Sequence, residues 1–566
     1  MKLGLDRPAD ASSHTSSKTW LPPTLITILA GIGFALTALV LIIPRYLPFQ
    51  DLPNHALVLA LARALRKSGP TTYLELPDFR VWGYSLYVGI DRVLARALSA
   101  DATARIMIVA AALALPIAVS RLATRLGGRA SVALALALPI ALCWPVRMGF
   151  VPYIIGLAFL LALAVALVDL LSDLPAQRLR RSFLFVLAFA LLCYLSHALV
   201  FVIALGLVGI GWLTMGRWRW RRLVLLTLAL APALILMTVD VSNSAFEQIP
   251  NTQMVWWRSK KKSIYRPAKL ALTHVVTRSY GVTGPGVLPY YLPLMIAVVG
   301  LAGVGTVAAF RRRRVAEEDP RGVTTTATRR AWLFVLSAGI VASVGTVAVP
   351  ETVGLAFLTG QRIPIIGFAL LTAAAGAMAS RLATPLCLAA LSTVVLAQSS
   401  AGSEIVHRAR QVETILGAGD LHSVSGPFMT ARINDCPMPA ATWTWGNYHS
   451  EWHLWAYALS DRSVTPYLFA YARYLPIWFR ADTFHELGAP QDAASNSPWM
   501  ALPQSYCAEY NRRRVLRVLN APPAFSGIVM FGSPGSVGDL LDHLTVPSGH
   551  FKRIAKGMAV YFRDGQ

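Results

Sequence analysis

The sequence predicts a polytopic α-helical membrane protein of about eleven transmembrane helices, with a mixed α/β domain at its C-terminal end. Composition gives the first reason. Of 566 residues, 55% are hydrophobic and only 14% are charged, whereas a globular domain carries about a quarter charged residues. Apolar runs of about 20 residues, the length that crosses a bilayer, recur along the first two thirds of the chain. Dense Arg/Lys patches separate them. A purely soluble enzyme is excluded. The formal net charge of +24 is first explained by cationic loops held in the cytoplasm, not by a nucleic-acid partner.

Residues 1–22 are polar, hold Lys2, Arg7 and Lys18, and read as a cytoplasmic tail. The apolar run from Pro23 to Pro44 is too long for a signal peptide and lacks a small-residue cleavage pattern, so it is expected to stay as the first span. Further runs begin near Ile106, Ser131, Val151, Phe183, Leu223, Tyr291, Ala331, Ile363 and Pro385. The basic patches at Arg121/Arg125/Arg129, Arg178/Arg180/Arg181, Arg217 to Arg222, Arg311 to Arg314 and Arg381 are each expected inside. An even number of crossings must therefore separate successive patches. Phe183 to Thr214, about 48 Å as one helix, exceeds a hydrocarbon core of about 30 Å and must fold as a hairpin. The break is expected at Ser196-His197. Likewise Ser131 to Leu171 is a pair turning at Trp144–Gly149. Eleven crossings result, which leaves the N-terminus inside and places loops 45–105 and 241–290 and the tail 401–566 outside. Residues 23–400 form the membrane domain.

The first outer loop holds Asp51, a good helix N-cap, Pro53 suited to a first turn, and a stripe of Leu57, Val58, Leu61 and Leu65 opposite Arg63, Arg66 and Lys67. This reads as an amphipathic helix on the outer membrane surface. A second is expected over 81–99, with Trp82, Tyr84 and Tyr87 as interfacial aromatics. Asp51 is either a helix cap or a general base held just above the bilayer. His55, four residues on, shares its face and can meet the same substrate or metal, or be plain surface polarity. The second long loop carries seven basic residues against Asp240 and Glu247. Lys260 and Lys261 there either attract anionic headgroups or clamp the phosphate of a lipid-linked substrate. Arg147 and Arg362 stand in otherwise apolar short turns, where an isolated ion has either a phosphate to hold or a carboxylate partner such as Glu351. His197 sits at the hairpin break, as a polar turn residue or a ligand contact.

The tail has short strand-like runs at Gly527–Phe531 and Met558–Phe562 and an aromatic cluster from Trp443 to Tyr457, read as core or anchor before sugar-stacking surface. Cys143, Cys193 and Cys387 lie in spans as packing residues. Cys436 and Cys507 share the outer domain, where a disulfide is an alternative to free thiols.

An uncut first span, an outer first loop in which Asp51 leads into an amphipathic helix, about eleven spans and an extracytoplasmic C-terminal domain together resemble the GT-C superfamily of polyprenyl-phosphate-dependent glycosyltransferases. The strings Asp51-Leu52-Pro53-Asn54-His55, Gly149-Phe150-Val151-Pro152-Tyr153 and Tyr194-Leu195-Ser196-His197 also resemble bacterial polytopic membrane proteins of that layout. The resemblance implies inverting transfer from a polyprenyl-phosphate-linked sugar to a lipid or glycan acceptor hydroxyl, hexosyl or pentosyl, at the outer face of the bacterial cytoplasmic membrane. It gives Asp51 the role of base; the chemistry then needs cations for the departing phosphate, which Arg147, Arg362, Lys260 and Lys261 could supply. Many members carry paired acidic residues, whereas Asp51 lies between Gln50 and Leu52. A second carboxylate would come from Asp78 or Glu351, and a divalent cation is left open. The alternatives are a lipid-linked glycan polymerase and a non-enzymatic transporter or scaffold for envelope polysaccharide.

Overall fold

The computed structural model describes residues 23–72, 74–76, 83–172, 176–215, 220–243, 288–311, 323–348, 352–353, 356–357, 362–379, 384–417, 419, 421, 424, 426–433, 453–459, 478–479, 526–544 and 549–563. Asp78, Lys260, Lys261, Glu351, Cys436 and Cys507 lie outside the described residues.

Helical structure covers each predicted apolar run. The first span is α1 (Pro23–Ile42), followed by α2 (Leu52–Ser68), α3 (Ser85–Leu94) and α4 (Ala100–Arg125). Helix α4 starts at Ser99, whose side chain accepts from the Ala102 amide and satisfies one open N–H of the first turn. Then come α5 (Ala130–Ala137), a 3-10 turn (Leu138–Leu142), α6 (Trp144–Met148), α7 (Val151–Leu171), α8 (Ala176–Ser196), α9 (Ala198–Met215) and α10 (Trp220–Asn243). The remaining bundle helices are α11 (Leu288–Arg311), α12 (Val323–Ala348), α13 (Pro364–Ala379) and α14 (Thr384–Leu416). Among the described residues seven helical stretches are long and apolar enough to cross a membrane, and Leu292–Val307 and Pro364–Ala379 are shorter apolar helices.

The hairpin expected at Ser196-His197 is present, with His197 alone between α8 and α9. Phe159 stacks on Phe189 at 6.3 Å and the Cys193 thiol faces the Gly156 carbonyl, so α8 runs antiparallel to α7. A Cβ on Gly156 would meet Val200, and one on Gly211 would meet Leu171, so α9 returns parallel to α7. Small residues let α5 and α13 approach closely, Gly376 lying against Ala133. Cys143 and Cys193 are buried free thiols.

Helix α14 runs 33 residues, continuous across the boundary expected at 400, and leads toward a small domain. Its sheet joins β4 (Phe428–Ile433), β6 (Gly527–Gly532), β8 (Met558–Phe562) and β7 (His550–Ala555) in the order β4-β6-β8-β7. Strands β4 and β6 are parallel, whereas β8 is antiparallel to both of its neighbours. The two strand-like runs of the tail are thus β6 and β8. Earlier short pairs are β1 (Leu74–Glu75) with β5 (Trp478–Phe479), and β2 (Thr352–Val353) with β3 (Ala356–Phe357). Helix α15 (Pro534–His543) covers β6 and β8.

Two cores result, and α2 lies between them. Its Leu52, Ala56 and Leu59 join the helical-bundle core. Leu57, Val58, Leu61, Ala62 and Leu65 join the core of the C-terminal domain, together with Phe428, Trp455 and Val529. This corrects the surface-helix expectation. The stripe of Leu57, Val58, Leu61 and Leu65 is covered by protein, because apolar surface leaves water equally well under a second core. Nor does the basic side face water alone. Arg63 bonds Asp91 Oδ1 at 2.6 Å, the Leu98 carbonyl and Thr103, and Arg66 lies 3.5 Å from Asp91, whose side chain is fully buried. Tyr87, expected at the interface, is 1% exposed and donates to the His55 carbonyl at 3.0 Å. Trp455 and Tyr457 of the tail cluster are core residues.

Candidate active site

The site forms where the first loop meets the turn at 144–149. The Gln50 amide donates to the Arg147 carbonyl at 3.1 Å and the Asp51 amide to the Met148 carbonyl at 2.9 Å. Such contact needs room. Gly149 has φ +76, and a Cβ there would lie 2.6 Å from the Leu52 nitrogen. Glycine both reaches the left-handed region and admits the neighbouring backbone. On the far side, Gly83 rests against the α8–α9 break, where a Cβ would meet the Ala198 nitrogen at 3.0 Å.

Asp51 occupies the N-cap position of α2 but makes no side-chain cap bond. A capping carboxylate normally accepts from the second or third helical N–H, and Pro53 at the second position has none to give. The carboxylate instead faces His453, with Oδ1 3.4 Å from Nε2. Asp51 is 8% exposed and His453 8%.

One turn along α2, His55 is 7% exposed. Burial pulls its pKa down to about 4, against the attraction of Asp51 and with help from His453 and Arg362. It is therefore a neutral imidazole at neutral pH. Burial pushes the Tyr84 phenol up to about 12, so Tyr84 is a neutral hydroxyl there.

Arg362 closes the other side. Its guanidinium sits 4.0 Å from the centre of the Phe150 ring and 5.5 Å from that of Tyr153, a cation–π arrangement. Nη1 lies 3.3 Å from His197 Nε2, and the Tyr153 hydroxyl donates to the Arg362 carbonyl at 2.6 Å. Among the described residues no carboxylate forms an ion pair with Arg362, and its buried Nε has no hydrogen-bond partner. The His197 ring faces two donors, since the Leu199 amide points at Nδ1 from 3.2 Å. A neutral imidazole has one acceptor nitrogen and satisfies only one of them. The Arg362 contact is thus the weaker hold of a cation that also stacks on Phe150.

Arg147 takes a different place. It is fully buried, donates through Nε to the Leu142 carbonyl at 2.9 Å, and pairs through Nη1 with Glu404 of α14. Glu404 also accepts from Arg408 at 3.1 Å. The carboxylate-partner alternative describes this geometry, with Glu404 as the partner. The phosphate contact, the other reading of Arg147, is not the arrangement present, because the guanidinium is fully buried and turned to Glu404 and the Leu142 carbonyl.

The structure thus gathers Asp51, His55, His197 and Arg362, and sets Arg147 aside as a staple between the turn and α14. Two partners were not anticipated, His453 and Glu404. The signal for His453 was a histidine within the Trp443–Tyr457 aromatic cluster, where a buried polar side chain needs a partner. Among the described residues no three His, Cys, Asp or Glu side chains group as metal ligands.

No family model matches the chain, and no curated protein does. Eight chains of solved structures match. A structure of the arabinofuranosyltransferase AftD from Mycobacteria is 13% identical with a TM-score of 0.42, over 96% of this chain and 40% of that one. A structure of ArnT from Cupriavidus metallidurans in the apo state is 13% identical with a TM-score of 0.44, over 95% of this chain and 97% of that one.

Proposed function

We propose that the chain is a membrane glycosyltransferase that moves a sugar from a polyprenyl-phosphate carrier to an acceptor hydroxyl, with inversion at the anomeric carbon. The observation that carries this reading is the Asp51 carboxylate, which caps no helix and lies buried beside neutral His55, 3.4 Å from the His453 ring and in the field of Arg362. The sequence resemblance to GT-C enzymes supports it.

The chemistry needs few parts. The acceptor oxygen attacks the anomeric carbon while Asp51 takes the hydroxyl proton. The new glycosidic bond forms on the face opposite the carbon–oxygen bond to the phosphate, which breaks, and the electron pair leaves with the phosphate. Arg362 meets that developing charge, moving from His197 to the departing oxygens while keeping its stack on Phe150. Neutral His55 and Tyr84 offer hydrogen bonds to sugar hydroxyls without a competing charge. Lys260 and Lys261, outside the described residues, are proposed to add headgroup or phosphate attraction. The distribution of basic patches along the sequence supports the further proposal that this end of the bundle and the C-terminal domain face outward from a bacterial cytoplasmic membrane crossed eleven times.

The test is transfer from a polyprenyl-phosphate sugar in liposomes by wild type and Asp51→Asn. Removing a general base is expected to slow the reaction by about 10²- to 10⁴-fold. Equal rates exclude Asp51 as the base. Product length separates single addition from polymerisation.

A further inference from the structure

We propose that His453 is a positioning residue for Asp51, so that the C-terminal domain completes a site whose other members belong to the helical bundle and its loops. This rests on Asp51 acting as the base.

The placement of His453 is built. It precedes a 3-10 turn (Leu454–Tyr457), and its carbonyl accepts from the Ala456 amide at 3.0 Å. Leu454, Trp455 and Tyr457 are in the domain core that also takes Leu57, Val58 and Leu61 from α2. Tyr457 meets Tyr46 edge-on at 5.3 Å, just before the first loop reaches Asp51. The His453 ring lies edge-on to Trp455 at 5.5 Å. The packing that covers α2 therefore also fixes where Nε2 stands.

A base needs a fixed lone pair. An aspartate at the start of a helix rotates about two side-chain bonds, and at Asp51 no cap bond restrains it. A donor on Oδ1 supplies that restraint and leaves Oδ2 for the acceptor hydroxyl. At 3.4 Å the contact is long for a hydrogen bond, as expected of a site that tightens when its substrates bind. Among the described residues, Asp51 and His55, both of α2, face His453. His453 donates through Nε2–H and takes up no proton in the reaction.

The experiment uses the full chain in nanodiscs and has two readouts. The first needs no activity. With isotope-labelled histidine, the ring-nitrogen resonances of His453, assigned by their loss in His453→Gln, are compared between wild type and Asp51→Asn. Replacing the carboxylate that Nε2 faces is expected to move the Nε2 resonance. Unchanged resonances overturn the pairing. The second readout is transfer from a polyprenyl-phosphate sugar. His453→Ala is expected to lower kcat by about 10- to 100-fold with donor KM within about threefold, as for an interaction made in the transition state. His453→Gln restores most of it, because its carboxamide N–H stands near the position of Nε2. Equal losses in both variants, or a loss confined to KM, overturn the positioning role. An Nε2 resonance that depends on Asp51, in a wild type that transfers no sugar, overturns the glycosyl-transfer reading and leaves the cross-domain pair standing.

Discussion

Arg147 and Arg362 look alike in the sequence, each a lone cation in a short apolar turn, yet their surroundings differ in kind. Arg147 is fully buried against Glu404 and the Leu142 carbonyl. Arg362 leans on two aromatic rings and shares an imidazole that already faces a backbone donor. The first is held by a carboxylate away from any ligand. The second keeps its charge for something else. What a cation does near a membrane is decided by whether a carboxylate reaches it from elsewhere in the fold.

The strongest way to break this comparison is Arg147→Met. It leaves Glu404 with only the half-exposed side of its pairing and is expected to cost about 3–5 kcal/mol of stability, seen in thermal unfolding in detergent. Adding Glu404→Leu is expected to recover most of that loss. A stable Arg147→Met protein would mean that the pair is no staple. Next comes Arg362→Ala, for which folding is expected to persist while transfer falls by about 10²- to 10³-fold, the size seen when a donor to a developing oxyanion is lost. Arg362→Lys keeps the charge without the planar stack and is expected to fall in between. If Arg362→Ala unfolds the protein and Arg147→Met only slows it, the assignments are reversed.

The smallest effect concerns acid. His55 titrates near 6.5 when unfolded and is lowered to about 4 in the fold. Between those values the unfolded chain binds the proton and the folded one does not. Stability is therefore complete above 6.5 and is lost as the pH falls toward 4, by on the order of 3 kcal/mol. His55→Gln is expected to abolish this component of the acid transition. Because Arg362 is one of the cations lowering His55, Arg362→Ala is expected to move the transition to lower sensitivity, whereas Arg147→Met leaves its midpoint in place. Equal effects of the two variants would erase the distinction between them.

Much of this fold was readable in advance, for reasons that also mark the limit. A 32-residue apolar run cannot cross straight, and Ser196-His197 offered the polar break, so the hairpin followed from length. Gly149 announced the tight turn. The short, punctuated apolar runs at 527–531 and 558–562 gave β6 and β8. The period of α2 correctly marked Leu57, Val58, Leu61 and Leu65 as a face in need of cover, but periodicity is silent on what covers it, and lipid was the nearer guess than a domain from the far end of the chain. Charge behaved in the same way. Arg147 needed a partner, and Glu404 lies 257 positions away, beyond any local pattern. Asp51 looked like a cap because the residue type and Pro53 fit a helix start, though the proline removes one of the two amides a cap would use.

Helix α2 also sets a timetable. Its outer stripe is bare until the C-terminal domain closes over it, and that domain's sheet keeps β8 in its interior, between β6 and β7. A ribosome therefore delivers the pieces in the reverse of the order in which they are needed. The loop bearing Asp51 emerges early, and the strand that locks its cover emerges after every bundle helix. Throughout synthesis the nascent chain carries an apolar face without its lid, an interval in which a chaperone or the bilayer surface must shield it.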